Sequence, residues 1–141
     1  MRHRRREGGF VAAELVLGIG LLLFPVAMLV LTLPTWSERQ AAGRAIAREV
    51  GRTATISGSC DERRAEIVAG TMSRNLGLRA DDVAVDLECT PGRLPRGGEL
   101  TVNVTVRLPA VSIPGITDVG EWHWTVKHTQ PIDPYRSFDD E

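Results

Sequence analysis

The feature that most constrains this chain is a long apolar stretch close to its N-terminus. From Phe10 to Leu33 the sequence reads FVAAELVLGIGLLLFPVAMLVLTL, 24 residues with one ionisable side chain, Glu14. A helix of that length extends about 36 Å, and the apolar core of a bilayer is about 30 Å thick. The stretch therefore predicts one tilted transmembrane helix over residues 10–34, called the span below. It is longer than the apolar core of a secretory signal peptide, which favours a retained anchor.

Charge is distributed unevenly about the span. Residues 1–9 contain four arginines and one glutamate, whereas residues 35–141 contain 13 basic and 16 acidic side chains. Because positive loops stay in the cytoplasm, we expect a single-pass membrane protein with its N-terminus in the cytoplasm and residues 35–130 as an extracytoplasmic domain. Lipid head groups are sufficient partners for the arginines, and we expect no nucleic acid.

Glu14 lies about one turn inside the span, where an ionised carboxylate costs several kcal/mol unless it is neutralised or paired. Either the side chain extends back to the interface, or another molecule supplies a cation. The surrounding sequence, REGGFVAAELVL, resembles the basic leader and signal of type IV prepilins, which a prepilin peptidase would cut between Gly9 and Phe10. The new α-amino group on Phe10 is mostly cationic at neutral pH, and on one subunit it would pair with Glu14 of the next.

Two helices are predicted after the span. The sequence SERQ at 37–40 is a capping-box pattern and predicts that an amphipathic helix starts there, continuing the span to about Thr55. A second, short helix is predicted from Asp61 to about Leu76, ended by Gly77. The predicted core positions of the first helix are Ala42, Ala45, Ile46, Val50 and Thr53, opposite a solvated face of Arg44, Arg48 and Arg52; those of the second are Ile67, Val68, Met72 and Leu76.

The rest of the chain alternates between apolar and polar residues with a period of two, which is typical of strands. Three such runs, at about 82–89, 99–108 and 121–129, predict a three-stranded antiparallel sheet with one covered face. Loops rich in proline and glycine are predicted over 90–99 and 109–120, and a fraying polar tail over 131–141. The fold class is therefore α+β.

Cys60 and Cys89 are the only cysteines. On the extracytoplasmic side of a membrane a disulfide is the expected state, and it would tie the second helix to the end of the first strand. Two cysteines without suitably placed histidines do not complete a zinc site. His123 and His128 are five residues apart and would lie on opposite faces of a strand. The sequence therefore predicts neither a metal site nor a cofactor, and it contains no catalytic motif.

Taken together, the chain resembles the TadE/TadF-like minor pseudopilins of tight-adherence (Flp) pili. The resemblance rests on the GF…E motif, on LLLFP within the span, on the helix AAGRAIAREVGRTA, and on the segments LTVNVTVRLP and WTVKHTQPIDPYRS. It implies a pilin-like fold and a membrane-held subunit of a pilus used for adhesion. The implied partners are a prepilin peptidase, other pilin subunits, an inner-membrane assembly platform and membrane lipid.

Two other functions remain open at this point. A pseudopilin of a type II secretion system has a similar leader, and a simple single-pass membrane protein could carry an envelope-binding domain of this size. Leu15 follows Glu14 where the major Flp pilins typically have tyrosine, and the domain after the span is long, so the resemblance implies a minor subunit rather than the main filament protein.

Overall fold

The computed structural model describes residues 7–89, 92–113 and 117–135. It has two helices and two antiparallel sheets, in agreement with the predicted α+β class. The elements in chain order are α1 (Glu7–Ser57), β1 (Ser59–Cys60), α2 (Glu62–Asn75), a 3₁₀ turn (Ala80–Asp82), β2 (Val83–Glu88), β3 (Gly92–Arg93), β4 (Glu99–Ile113) and β5 (Thr117–Pro131). Most of the predicted leader, residues 1–6, and the end of the predicted tail, residues 136–141, lie outside the described residues.

Helix α1 is continuous over 51 residues and passes through both Pro25 and Pro34. The continuation of the span into an outer helix is thus confirmed, but the predicted new start at Ser37 is wrong. A proline inside a helix removes one backbone donor, and the remaining hydrogen bonds on either side carry the helix through. The Ser37 hydroxyl donates to the Pro34 carbonyl at 2.8 Å instead of capping a new helix.

The main sheet has three antiparallel strands in the order β2-β4-β5. Strands β4 and β5 pair from Glu99 opposite Pro131 to Ile113 opposite Thr117. The loop predicted over 109–120 is therefore wrong at 109–113 and 117–120, which belong to the two strands, while residues 114–116 lie outside the described residues. The glycine at 120, one of the residues that predicted a loop, does disturb the backbone, but only locally: Gly120 has a φ of 70° within β5. The predicted inward residues of β4 are all buried: Leu100, Val102, Val104, Val106 and Leu108.

A second sheet corrects the prediction of a single one. Strand β1 pairs with β3, Ser59 opposite Arg93 and Cys60 opposite Gly92. Each strand has two residues, too few for an alternating pattern to indicate a strand. The Leu94 N–H donates to the Gly58 carbonyl at 2.9 Å and extends the pairing.

The outer half of α1 covers the main sheet. Ile46, Ala47 and Val50 are at most 1% exposed and lie in the core with the inward residues of β4. Ala45 and Thr53, which were predicted to face the core, are only half-buried. The packed face is therefore rotated slightly from the predicted one, while Arg44, Arg48 and Arg52 are exposed as predicted.

Helix α2 begins and ends close to the predicted positions. The Asp61 carboxylate caps it by accepting from the Arg64 N–H at 3.1 Å. Its buried residues are small, Ala65, Ala69 and Ser73, which lets the helix lie close to α1 and β2. Val68 and Met72 flank this contact. Ile67 and Leu76 are 62% and 43% exposed, so their predicted burial is wrong.

The packed domain continues slightly beyond the predicted boundary at residue 130. Ile132 is 2% exposed and lies in the core. Its N–H donates to the Gly98 carbonyl at 2.9 Å. Residues 35–132 are called the head below.

Candidate functional site

The N-terminal half of α1 has almost no protein against it. Side chains such as Leu17 and Leu21 are 74% and 76% exposed, and the most apolar 18-residue window of the helix has a mean hydropathy of 2.6 with 6% of it buried. A soluble monomer rarely exposes so large an apolar surface. By length and composition, α1 is a candidate single membrane span.

Glu14 lies on this apolar surface, in the second turn of the described part of α1, and its side chain is exposed. It makes no hydrogen bond or ion pair with any residue that the structure describes. Val11 and Gly18 are its neighbours at helical spacing. Since no residue in the described ranges satisfies this carboxylate, its partner lies beyond them, in water, in a lipid head group, in another protein or in a part of the chain that the structure does not describe.

Glu14 stands at the edge of a shallow groove on α1, called the Glu14 groove. It is lined by Val11, Glu14, Leu15, Gly18, Ile19, Leu22 and Leu23. Gly18 follows Glu14 by one turn, and a Cβ added there meets no atom within 4 Å. A second helix can therefore approach Glu14 closely at this point, as small residues allow in membrane helices. Gly20, two residues further on, lies outside the groove.

The predicted processing site lies at the start of α1. The backbone at Gly9 and Phe10 is helical, and of their side chains nothing is described. A peptidase needs an extended backbone, so cleavage here requires the first turn to unwind. Gly8 and Gly9 each disfavour a helix by about 1 kcal/mol relative to alanine, which makes that unwinding easy.

Cys60 and Cys89 form a disulfide, with their Cα atoms 6.2 Å apart. The bridge joins β1 at the start of α2 to the residue after β2, where the two sheets meet. The predicted pairing is thus present. It stabilises the head and is far along the chain from the Glu14 groove.

Several charged side chains in the head form ion pairs or charged hydrogen bonds with each other. The outer face of the main sheet carries Glu88, which accepts from the Asn103 amide at 2.7 Å and lies 3.2 Å from the Lys127 ammonium. The hydrogen bond from Asn103, followed by that from Lys127, lowers the pKa of Glu88 below its ordinary value. On α1 the hydrogen bond from Arg52 likewise lowers the pKa of Glu49.

The histidines lie on opposite faces of β5, as predicted. His128 faces α1, within 3.4 Å of where a Cβ on Gly51 would stand, while His123 is opposite Arg107 on the other face. Among the residues that the structure describes, no three His, Cys, Asp or Glu side chains are placed to hold a metal ion.

A polar cluster at the span end of the head is absent from the sequence prediction. Arg39 lies 3.6 Å from Asp82 and donates to the Arg107 carbonyl at 3.0 Å, and Arg107 lies 3.3 Å from Glu121. No local pattern in the sequence could have indicated this cluster, because its four residues come from α1, the 3₁₀ turn, β4 and β5.

Compared with protein-family models, curated proteins and solved structures, the chain matches none.

Proposed function

We propose that this protein is a membrane-anchored minor pseudopilin of the TadE/TadF type, which takes part in assembling a tight-adherence pilus. The observation that carries the proposal is Glu14, a carboxylate on an exposed apolar helix that none of the described residues pairs with, beside a groove that a second helix can enter. The GGF sequence just before it supports processing by a prepilin peptidase. The head, held to the span by one continuous helix, supports a pilin-like subunit.

In this proposal the span has two successive uses. Before assembly it holds the protein in the bacterial cytoplasmic membrane, with residues 1–9 inside and the head outside. After cleavage between Gly9 and Phe10, the new amino group of one subunit enters the Glu14 groove of its neighbour. An ion pair in an apolar surround sets the register between subunits, because an unpaired charge there is costly.

The decisive measurement is the mass of the N-terminus of the protein purified from its native membrane. A processed subunit begins at Phe10. A chain that still begins at Met1 contradicts processing and favours the plain single-pass protein with an envelope-binding head.

A variant set separates processing from assembly. Gly9→Ala is expected to leave the chain uncleaved, because it both fills the site of the cut and stiffens the first turn. Glu14→Gln is expected to be cleaved normally but to lose cross-linking to neighbouring pilin subunits, since it keeps size and loses charge. Glu38→Ala, an exposed change on the same helix outside the span, is the control and should behave as the parent.

The type II secretion alternative predicts the same cleavage and the same dependence on Glu14. It is distinguished by the subunits recovered after cross-linking in the native membrane. Secretion pseudopilins would replace pilus subunits, and that result would overturn the pilus assignment while leaving the pseudopilin assignment in place.

A further inference from the structure

Strands β4 and β5 run along α1 in the direction of the span. Near the far end of the contact, Gly51 lies against Val102 and His128. Further toward the span, Gly43 lies against Val106 and Trp124. The chain of contacts ends at Trp36, whose indole N–H donates to the Pro109 carbonyl at 2.6 Å. Toward the span, an advance of one residue along the hairpin strand therefore corresponds to an advance of about two residues along α1.

The hairpin continues past Trp36 and reaches the level of the span. From Pro109 to Ile113 a strand advances about 13 Å, which a helix covers in about nine residues. Ile113 is therefore level with about residue 27 of α1, well inside the apolar stretch.

The burial of α1 agrees with this geometry. Thr32 is 3% exposed, whereas Leu31 and Leu33 on either side are 46% and 47% exposed. Met28, one turn earlier, is half-buried in a region that is otherwise exposed. One side of the outer end of the span is thus covered by protein, on the side where the hairpin lies.

The composition of the hairpin changes at this level. Ten residues in a row, LPAVSIPGIT from 108 to 117, have no charged side chain. The ion pair Arg107–Glu121 and the pair Arg39–Asp82 lie just above it. Trp36 and the 65% exposed Trp122, which is opposite Leu108, lie at the boundary. The first charged residue after this stretch is Asp118, which is opposite Ser112 in the pairing of β4 with β5. Paired charges above, tryptophans at the boundary and an uncharged stretch that ends in one carboxylate fit the interfacial layer of a membrane rather than its apolar core.

We propose that the end of the β4–β5 hairpin, residues 109–113 and 117–120, is a second membrane-contacting element that lies in the interfacial layer of the leaflet next to the head, where water reaches a carboxylate such as that of Asp118. Its partner is the lipid of that leaflet, because the hairpin end is continuous with the span and level with it. The proposal rests on the membrane anchorage that is part of the proposed function. It does not depend on cleavage or on pilus assembly.

The test uses the full-length chain, reconstituted in phosphatidylcholine vesicles that contain a lipid with a nitroxide near the top of its acyl chain. Trp122→Cys is labelled with an environment-sensitive fluorophore, the two native cysteines being bridged. Thr129→Cys, an exposed position on the same strand seven residues farther from the tip, is the matched control. We expect at least threefold quenching of the label at 122 and none at 129.

Equal fluorescence of the two labels with and without the nitroxide lipid would overturn the proposal. A label at Leu21→Cys, in the middle of the span, tests anchorage separately. If position 21 is shielded from water and position 122 is not quenched, the hairpin proposal fails and the anchor stands; if position 21 is in water, the anchor itself fails. A third outcome is that the emission of the label at 122 is blue-shifted but not quenched, and shifts back to the red when the protein is diluted. That result shows contact with a second copy of the chain and also overturns lipid contact.

Discussion

Gly43 and Gly51 set how closely α1 approaches the sheet. A Cβ on Gly43 would lie 2.8 Å from Val106 Cγ2, closer than such atoms approach, and 3.2 Å from the Trp124 ring, which is a tight contact. A Cβ on Gly51 would meet its nearest neighbours at 3.4 to 3.5 Å, which is ordinary contact. The two glycines occupy equivalent positions two turns apart, yet only one of them is required by packing.

The first prediction compares these two glycines. Gly43→Ala should destabilise the head by about 1–3 kcal/mol, because an overpacked core must shift side chains or backbone. Gly51→Ala should be neutral or stabilise it by up to about 1 kcal/mol, since alanine favours the helix. Urea unfolding of the full chain in detergent, followed by tryptophan fluorescence, measures both. Equal losses in the two variants would contradict the packing argument.

A second residue-scale prediction concerns acid. The hydrogen bond from Asn103 and the ion pair with Lys127 lower the pKa of Glu88 in the folded chain. The ionised carboxylate therefore adds stability above the ordinary glutamate pKa of about 4.3, and that stability is lost as the pH falls through the lower folded value. Glu88→Gln should lower Tm at pH 7 and converge with the parent near pH 3. The change in Tm is small because the Glu88 carboxylate is exposed to solvent. Glu66→Gln, another exposed glutamate, serves as the control.

At the scale of the elements, the helices and strands marked by a pattern that repeats over many residues were predictable from the sequence. The span, α2 with its Asp61 cap, and the alternating face of β4 each rest on a run long enough to show its period. The loop over 109–120 and the break at Ser37 were wrong because proline, glycine and a capping box were taken as ends of elements. In both places the hydrogen bonds of a long helix or hairpin continue past a local defect.

Other features depend on contacts that no local pattern contains. Ile67 is exposed because α2 packs through alanines rather than through its largest apolar residues. The β1–β3 pair and Ile132 depend on segments distant in the chain meeting at one place. For the candidate site, Glu14, Gly9 and Phe10 were predicted from the sequence, and Gly18 lies four residues after Glu14, a spacing that puts both on one face of a helix.

The third prediction concerns the disulfide between the two sheets. Cys60 and Cys89 are 29 residues apart, and a loop of that size gives about 3–4 kcal/mol in the chain-entropy model. A Cys60→Ser, Cys89→Ser double variant should lose most of that from its free energy of unfolding. Reduction of the parent chain should reproduce the loss, and reducing agent should leave the double variant unchanged. A variant as stable as the oxidised parent would show that the bridge does not stabilise the head.

At the scale of the whole molecule, the fourth prediction concerns orientation. With the head outside the cytoplasm, trypsin added to spheroplasts should reach exposed sites such as Arg63 and Arg64 on α2 and leave a fragment that contains the span. A tag placed before Met1 of the uncleaved Gly9→Ala variant should be protected from the same treatment. If only ruptured membranes allow cleavage of the head, the orientation is the reverse.

The unbroken course of α1 makes the span and the head one mechanical body. A helix of 51 residues is about 76 Å long, so a change of 10° in its tilt about the cytoplasmic end moves the far end by about 13 Å. The candidate span and the part of the helix that carries the head are of nearly equal length, so neither can tilt without the other. If the span lies in a bilayer as proposed, small changes in bilayer thickness or in neighbouring helices become large displacements of the head.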